Sequence, residues 1–288
     1  MSTPTTTRRS PLAYKSELKP VWCPGCGDYG VLSSLYQAFN RKNLDPKDIV
    51  IVAGIGCSGR LPGYVNAYGF HGVHGRTLPI ATGVKLANPS LTVFAVGGDG
   101  DGLAIGGGHI PHTARRNVDI TYIMMDNSIY AQTKGQSSPT TSLDWESSSM
   151  PYGTVEDPLN PIAMAIAYGV SFVARGYAGR SQQLVDLVTA AMDHRGFSFI
   201  HVISPCTTHH DTYKQMAAKV IDIAELAPDH DQTDNVAAFR LAQEEERIPL
   251  GIFYRVQKPP FHERLAEIRD RARPDGPVTV ADLMARFK

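Results

Sequence analysis

Residues Leu91–His109 read LTVFAVGGDGDGLAIGGGH. An apolar run passes directly into a turn made of glycines and two aspartates. The run lacks the polar alternation of a strand with one wet face, so it reads as a strand buried on both faces, the kind a parallel sheet uses. Four other stretches have the same character: IVIVAG (Ile49–Gly54), DITYIMMDN (Asp119–Asn127), VSFVARG (Val170–Gly176) and FSFIHVISPC (Phe197–Cys206). Helical patterns lie between them. Asp28 is expected to cap a helix whose apolar face is Val31, Leu32, Leu35, Tyr36 and Phe39. Asn160 followed by Pro161 opens a second, because proline is tolerated at the first helical position. Ser181 opens a third, with Leu184, Val185, Leu187 and Val188 inward and Gly196 as its stop. The alternation implies an α/β fold, a doubly wound and mostly parallel sheet.

The expected organisation is a flexible N-terminal tail (1–15), one ligand-binding domain (16–215) and a C-terminal helical extension (216–288). The extension carries the charged stretches LAQEEER and HERLAEIRDRAR, with the apolar patch IPLGIFYR (Ile248–Arg255) between them. It is expected to pack on the domain or on a partner. The chain has 288 residues, 42% of them hydrophobic, with 28 Lys plus Arg balancing 28 Asp plus Glu. That balance argues against a general nucleic-acid binder. Weak self-repulsion suits a subunit that lives in a complex. No apolar run is long enough to span a membrane, and the Thr-rich N-terminus lacks the apolar core of a signal peptide. The expectation is a cytoplasmic chain with reduced cysteines.

Ligands of open α/β sheets bind outside the carboxyl ends of the strands. Four of these strands run into residues with chemistry there: Cys57, Asp99, Asn127 and Cys206. The other two of the four cysteines, Cys23 and Cys26, stand in WCPGCGDYG (Trp22–Gly30). A lone cysteine is most often a small buried hydrophobe. Four cysteines in tight Pro/Gly turns fit a four-thiolate site, and either zinc or an iron–sulfur cluster would use that set. A thioredoxin-like CxxC would leave Cys57 and Cys206 without a role. The CPGC pair precedes a helix, whose N-terminal dipole favours thiolate. Gly25 and Gly27 are expected to let backbone N–H groups approach the sulfurs.

GIGCSG (Gly54–Gly59) matches the dinucleotide fingerprint GxGxxG, which wants an acidic residue about twenty positions on. No Asp or Glu occurs from Ile49 to Gly98, whereas Arg60, His71, His74, Arg76 and Lys85 do. A nicotinamide site is therefore disfavoured, and the stretch suits anions such as a diphosphate, a carboxylate or coenzyme A. Asp99 and Asn127 lie 28 residues apart at two strand ends. A carboxylate, an amide oxygen and a nearby backbone carbonyl make a hard-oxygen site for Mg²⁺, which takes few protein ligands and completes its shell with phosphate oxygens. The glycines let the backbone approach that phosphate.

Taken together, CPGCGDYG, GIGCSGR, HGR, TGVKLANP, GGDGDGLAIGGGH, TKGQ and SPC closely resemble the β subunit of 2-oxoacid:ferredoxin oxidoreductases, from about residue 15 to about residue 260. The resemblance implies thiamine diphosphate, Mg²⁺ and one [4Fe–4S] cluster, with coenzyme A as co-substrate. It puts the cluster on Cys23, Cys26, Cys57 and Cys206, and the magnesium on Asp99, Asn127 and the carbonyl of Ile129. It puts the cofactor against Ile55, Gly56, Cys57, Ser58, Gly100, Asp101, Ala131 and Gln132. The catalytic candidates are His74, Gln132 and Lys134. Pyruvate-specific relatives commonly show glycine at the Lys134 position, and a cation there could pair with the distal carboxylate of 2-oxoglutarate. The implied reaction is CoA-dependent oxidative decarboxylation of 2-oxoglutarate to succinyl-CoA and CO₂, with reduction of ferredoxin. The alternatives are the same chemistry on pyruvate, aryl pyruvate or a broad set of 2-oxoacids and, from a different class, a zinc-stabilised structural or interaction protein. The implied partners are an α subunit, in a heterodimer or a dimer of heterodimers, and an external ferredoxin; neither nucleic acid nor membrane is expected.

Overall fold

The computed structural model describes residues 8–272 and 278–287. A strand covered by helices on both sides has no face to show to water, and all five apolar runs form strands of one sheet. The strands are β1 (Ile49–Ala53), β2 (Tyr68–His71), β3 (Thr92–Gly98), β4 (Thr121–Asp126), β5 (Ile129–Tyr130), β6 (Gln136–Ser137), β7 (Phe172–Tyr177), β8 (Ser198–Ile203), β9 (Val220–Asp222) and β10 (Ile248–Arg255). The helices are α1 (Asp28–Arg41), α2 (Thr77–Ala87), α3 (His109–Arg116), α4 (Pro161–Ala167), α5 (Ser181–Asp193), α6 (Tyr213–Lys219), α7 (Ile223–Leu226), α8 (Asn235–Ala242), α9 (Phe261–Ala272) and α10 (Val280–Ala285). Eight strands lie in the order β2-β1-β3-β4-β8-β7-β10-β9, while β5 and β6 form a separate hairpin. Every neighbouring pair in the large sheet is parallel except β10 against β7.

The helices cover both faces. On one side α1 and α5 bury Leu35, Phe39, Leu184 and Val188 against Ile51, Phe94 and Ile200. On the other, α2, α3, α4 and α8 bury Leu78, Ile110, Ile162 and Ala238 with Tyr122 and Phe199. Each large side chain so buried contributes about 1.5–3 kcal/mol, so this double cover is what makes the sheet stable. Asn160 caps α4 as its sequence implies, accepting from Ala163 N at 3.1 Å with Pro161 at the first position. Asp28 does not cap α1. Gly27 holds that place, and the Asp28 carboxylate turns inward to accept from Ser204 Oγ at 2.7 Å.

Both expected boundaries need correction. Residues 1–7 of the expected tail (1–15) lie outside the described residues, but from Arg9 onward the chain is anchored. Arg9 pairs with Asp45 at 3.0 Å, and the buried Tyr14 donates from its hydroxyl to Leu44 O at 2.7 Å. At the other end, position 215 falls inside α6. The patch Ile248–Arg255 is strand β10, placing Leu250 and Phe253 in the core. It is therefore a working part of the sheet, beyond which α9 and α10 form the helical extension. LAQEEER is helical only at its start, because α8 ends at Ala242.

The chain leaves β1 toward β2 on one side and β3 on the other. That reversal of winding opens a crevice at the carboxyl ends of β1 and β3, where open sheets of this type bind ligands.

Candidate functional site

The crevice holds a cavity of about 280 Å³. The loop after β1 supplies Ile55, Gly56, Cys57 and Ser58; the turn after β3 supplies Asp99, Gly100 and Asp101; the segment after β4 supplies Asn127, Ile129, Ala131 and Gln132; His74 and Asp28 are also among the lining residues. Gly100 is required to be glycine, because a Cβ there would meet the Tyr130 ring at 2.3 Å. The chain turns through a π-helical segment at Gly100–Ile105, a distortion common at functional sites.

The two aspartates of that turn are treated differently. Asp101 Oδ1 accepts from Ile55 N at 2.9 Å and Gly75 N at 2.8 Å, and Thr77 Oγ1 donates to Oδ2 at 3.3 Å. Its carboxylate therefore ties two loops to the turn. Asp99, equally buried, faces competition. Thr140 Oγ1 lies 2.9 Å from Asp99 Oδ2 and 2.8 Å from Asp126 Oδ1. A hydroxyl has one proton, so it serves only one of the two groups when both are ionised, and serves both only if Asp99 carries a proton to donate to it. Burial, and then the charge on Asp126, push Asp99 up to about 8. Burial is also the largest single influence on Asp126, but His201, whose Nε2 donates at 2.8 Å, together with the donors on Thr140 and Ser128 outweighs it and keeps that carboxyl below its usual range. Among the described residues, two buried carboxylates thus share one hydroxyl, an arrangement that a divalent cation at Asp99 would relieve. His74 Nδ1, 3.5 Å from Asp101 Oδ1, is buried without a hydrogen-bond partner among the described residues.

Beside the cavity, three cysteine-bearing segments meet. Gly27 N donates to Pro205 O at 3.1 Å, Thr207 Oγ1 donates to Pro24 O at 2.8 Å, and Trp22 Nε1 donates to Cys57 O at 2.7 Å. All four cysteines are free thiols. Burial first, and then the nearby Asp28 carboxylate, push Cys26 far up and Cys57 up to about 11; the neighbouring cysteines push each of them further the same way. The expected thiolate-favouring field of α1 is overridden by this burial and by Asp28. The glycines also act otherwise than expected. Gly25 takes a left-handed φ of +81°, and at Gly27 a Cβ would stand 2.6 Å from Ser204 Oγ. They let the CPGC turn close on the Cys206 loop, with the Gly27 N–H spent on Pro205 O rather than on a sulfur.

With this geometry in place, the comparisons with known proteins are specific. The family model "Thiamine pyrophosphate enzyme, C-terminal TPP binding domain" matches residues 54–202. The model for the C-terminal part of the pyruvate ferredoxin oxidoreductase β subunit matches residues 206–270. The β subunit of 2-oxoacid:ferredoxin oxidoreductase 2 of Aeropyrum pernix is 42% identical over 272 residues, spanning 90% of this chain and 88% of the relative. The chain belongs to the β subunits of 2-oxoacid:ferredoxin oxidoreductases. Among its relatives in that family, the 2-oxoglutarate synthase subunit KorB of Methanothermobacter thermautotrophicus is 44% identical over 206 residues, 72% of each chain. The solved 2-oxoglutarate:ferredoxin oxidoreductase of Magnetococcus marinus, determined with 2-oxoglutarate, coenzyme A and succinyl-CoA bound, superposes with a TM-score of 0.93. It is 40% identical, spanning 99% of this chain and 98% of that one.

For a β subunit of this family, the structure gathers the expected cofactor contacts, Asp99, Asn127, Ile129, His74 and Gln132 around one cavity. It does not bring Lys134 there. That residue is exposed just past the lining, with a left-handed φ of 80°. Of the basic stretch, Lys85 is turned away to pair with Asp119 at 2.8 Å, and Arg60 and His71 line a neighbouring groove. Thr140, Asp126 and Asp28 are site residues that the sequence reading misses. Asp126 does carry a signal, since it is the one charged residue closing a fully buried strand.

Proposed function

We propose that this β subunit serves an oxidoreductase that converts 2-oxoglutarate and coenzyme A to succinyl-CoA and CO₂ while reducing ferredoxin. The observation that carries the proposal is the convergence, at one sheet edge, of a glycine-lined cavity with a cation-ready aspartate and of three loops bearing four thiols. The name of the KorB relative, a 2-oxoglutarate synthase subunit, and the ligands of the Magnetococcus enzyme support 2-oxoglutarate.

Asp99, Asn127 and the Ile129 carbonyl would hold Mg²⁺, and the turns after β1 and β3 would cradle the diphosphate. Cys23, Cys26, Cys57 and Cys206 would hold the [4Fe–4S] cluster. When bound, thiamine diphosphate supplies the electron sink for CO₂ loss and the cluster accepts electrons one at a time. The protein's part is positional. Asp101 fixes the loops at Ile55 and Gly75, and Tyr130 closes over Gly100, donating to its carbonyl at 3.3 Å. His74 and Gln132 offer polar atoms to the cavity. Lys134 stands at its rim, in a backbone conformation that costs about 1–3 kcal/mol for a non-glycine residue; that cost supports a use for its charge, namely the distal carboxylate of 2-oxoglutarate.

Among the described residues, no three His, Cys, Asp or Glu side chains gather tightly enough to hold a single metal ion. A zinc site needs four ligands around one point. The match of residues 206–270 to a ferredoxin oxidoreductase β-subunit model supports a cluster over the zinc-stabilised alternative. An α subunit would complete the active site, a soluble ferredoxin would take the electrons, and the cytoplasm is the fitting compartment. No described helix is long and apolar enough to cross a membrane. Relatives named only for 2-oxoacids favour, as the second reading, a range that includes pyruvate.

The test is anaerobic ferredoxin reduction by the chain purified with its α subunit. Reduction that requires coenzyme A and prefers 2-oxoglutarate supports the proposal. Equal rates with pyruvate select the second reading, and no reduction with any 2-oxoacid by a fully loaded complex rejects both.

A further inference from the structure

A second cavity, of about 490 Å³, lies behind the turn after β4 and shares only Asn127 with the lining of the first. Arg175 forms part of its wall. This residue sits on β7 beside His201 of β8 and Gly251 of β10, and is 8% exposed. Its Nε donates to His201 Nδ1 at 3.2 Å. His201 Nε2 in turn lies 2.8 Å from Asp126 Oδ2, so the imidazole is the neutral tautomer with its proton on Nε2. The two terminal guanidinium nitrogens have no hydrogen-bond partner and no paired carboxylate among the described residues. Phe253 stacks under the guanidinium at 5.3 Å. A cation–π contact offsets only part of the cost of withdrawing such a charge from water.

Around Arg175 the cavity is lined by two further cations, Lys219 and Arg247, and by three carboxylates, Asp126, Glu244 and Glu245. Lys219 and Arg247 stand at its mouth without an ion pair among the described residues. Of its carboxylates, Asp126 is engaged by His201, Glu244 accepts from the backbone N–H groups of Glu246 and Arg247, and Glu245 is exposed. The Asp126 charge acts on Arg175, but none of these carboxylates bonds its terminal nitrogens among the described residues, so the fork itself is without an anion. We infer that this cavity binds a small oxyanion, a phosphate or carboxylate group gripped by the planar fork of Arg175, with Lys219 and Arg247 at the entrance. Through His201, Asp126 and Thr140 the bound anion is joined by hydrogen bonds to Asp99 of the first cavity.

The experiment is calorimetric titration of the complex with its α subunit, in buffer free of small oxyanions, using inorganic phosphate and, separately, succinate. At least one probe is expected to saturate a site whose affinity falls about tenfold or more in Arg175→Gln and less in Lys219→Ala. Dependence on Arg175 separates this site from any binding in the first cavity. Phosphate alone identifies a phosphate ligand; succinate alone identifies a carboxylate. Saturation by neither probe overturns the inference, as does affinity unchanged in an Arg175→Gln complex of native circular dichroism. Should Arg175→Gln not fold, Arg247→Ala carries the test, and an unaltered affinity for both probes there overturns it.

Discussion

The turn after β3 and the CPGC turn before α1 bury ionisable groups at the same sheet edge and settle them in opposite ways. Around Asp101 and Asp126 the protein has placed donors: two backbone N–H groups, a threonine hydroxyl and an imidazole. Those carboxylates are at home in the bare chain. Around Cys26 and Cys57 it has placed burial and a further negative group, Asp28, so both thiols are held protonated in the bare chain, and the proposed cluster would have to displace those protons. Asp99 lies between the two cases, a carboxylate whose nearest donor is shared. The lesson is that one edge combines a preformed seat with a seat that the proposed cluster would complete.

The largest test of that contrast is Cys206→Ser. Cys206 lies outside the lining of the first cavity. The variant is expected to abolish iron binding, read by elemental analysis and visible absorbance, while thiamine diphosphate affinity changes by less than about threefold, under 1 kcal/mol. Joint loss of both would show the two seats to be one unit.

The aspartate pair comes next. Asp99→Asn is expected to weaken magnesium-dependent cofactor binding about a hundredfold, ~2.7 kcal/mol. It should not lower the melting temperature of the magnesium-free complex, because it removes one of two competitors for Thr140. Asp101→Asn is expected to do the reverse, losing about 2–3 kcal/mol of stability as its N–H partners lose a charged acceptor. A denaturant titration reads that loss, and equal behaviour of the two variants would erase the distinction between them.

Lys134→Ala sharpens the comparison at the rim. The KM for 2-oxoglutarate is expected to rise roughly tenfold, ~1.4 kcal/mol, with that for pyruvate little changed. Lys134→Gly should match it without loss of stability, since glycine accepts the left-handed backbone. Equal shifts for both substrates would deny Lys134 a role in selection.

The smallest effect lies away from the site. Burial, then the charge of Arg255, hold His194 down to about 4, against an ordinary 6.5. Between those values the unfolded chain binds the proton and the native one does not, so stability falls as pH drops from 6.5 toward 4. His194→Gln is expected to flatten that slope in thermal unfolding; an unchanged slope would assign it to another group.

Much of this is legible in the chain. The five core strands announce themselves because burial on both faces leaves no polar alternation, and Asp99, Asn127, Cys57 and Cys206 stand out because strand ends are where such residues collect. β2 gives no signal, being exposed at every position. β10 reads as a surface patch because its antiparallel pairing with β7 joins residues far apart in the chain. Thr140 is one hydroxyl among many in SSPTTS and carries no mark of its role. Arg175 and His201 do carry one: a titratable side chain inside an apolar strand run must have a partner or a ligand.

The central claim is that this sheet edge seats a diphosphate cofactor and an iron–sulfur cluster together. Its most direct test is the iron, acid-labile sulfide and thiamine diphosphate content of the complex purified without oxygen. About four iron, four sulfide and one thiamine diphosphate per β chain is the expected result. Stoichiometric zinc in place of iron, or a complete cluster in a complex unable to bind thiamine diphosphate, would contradict it.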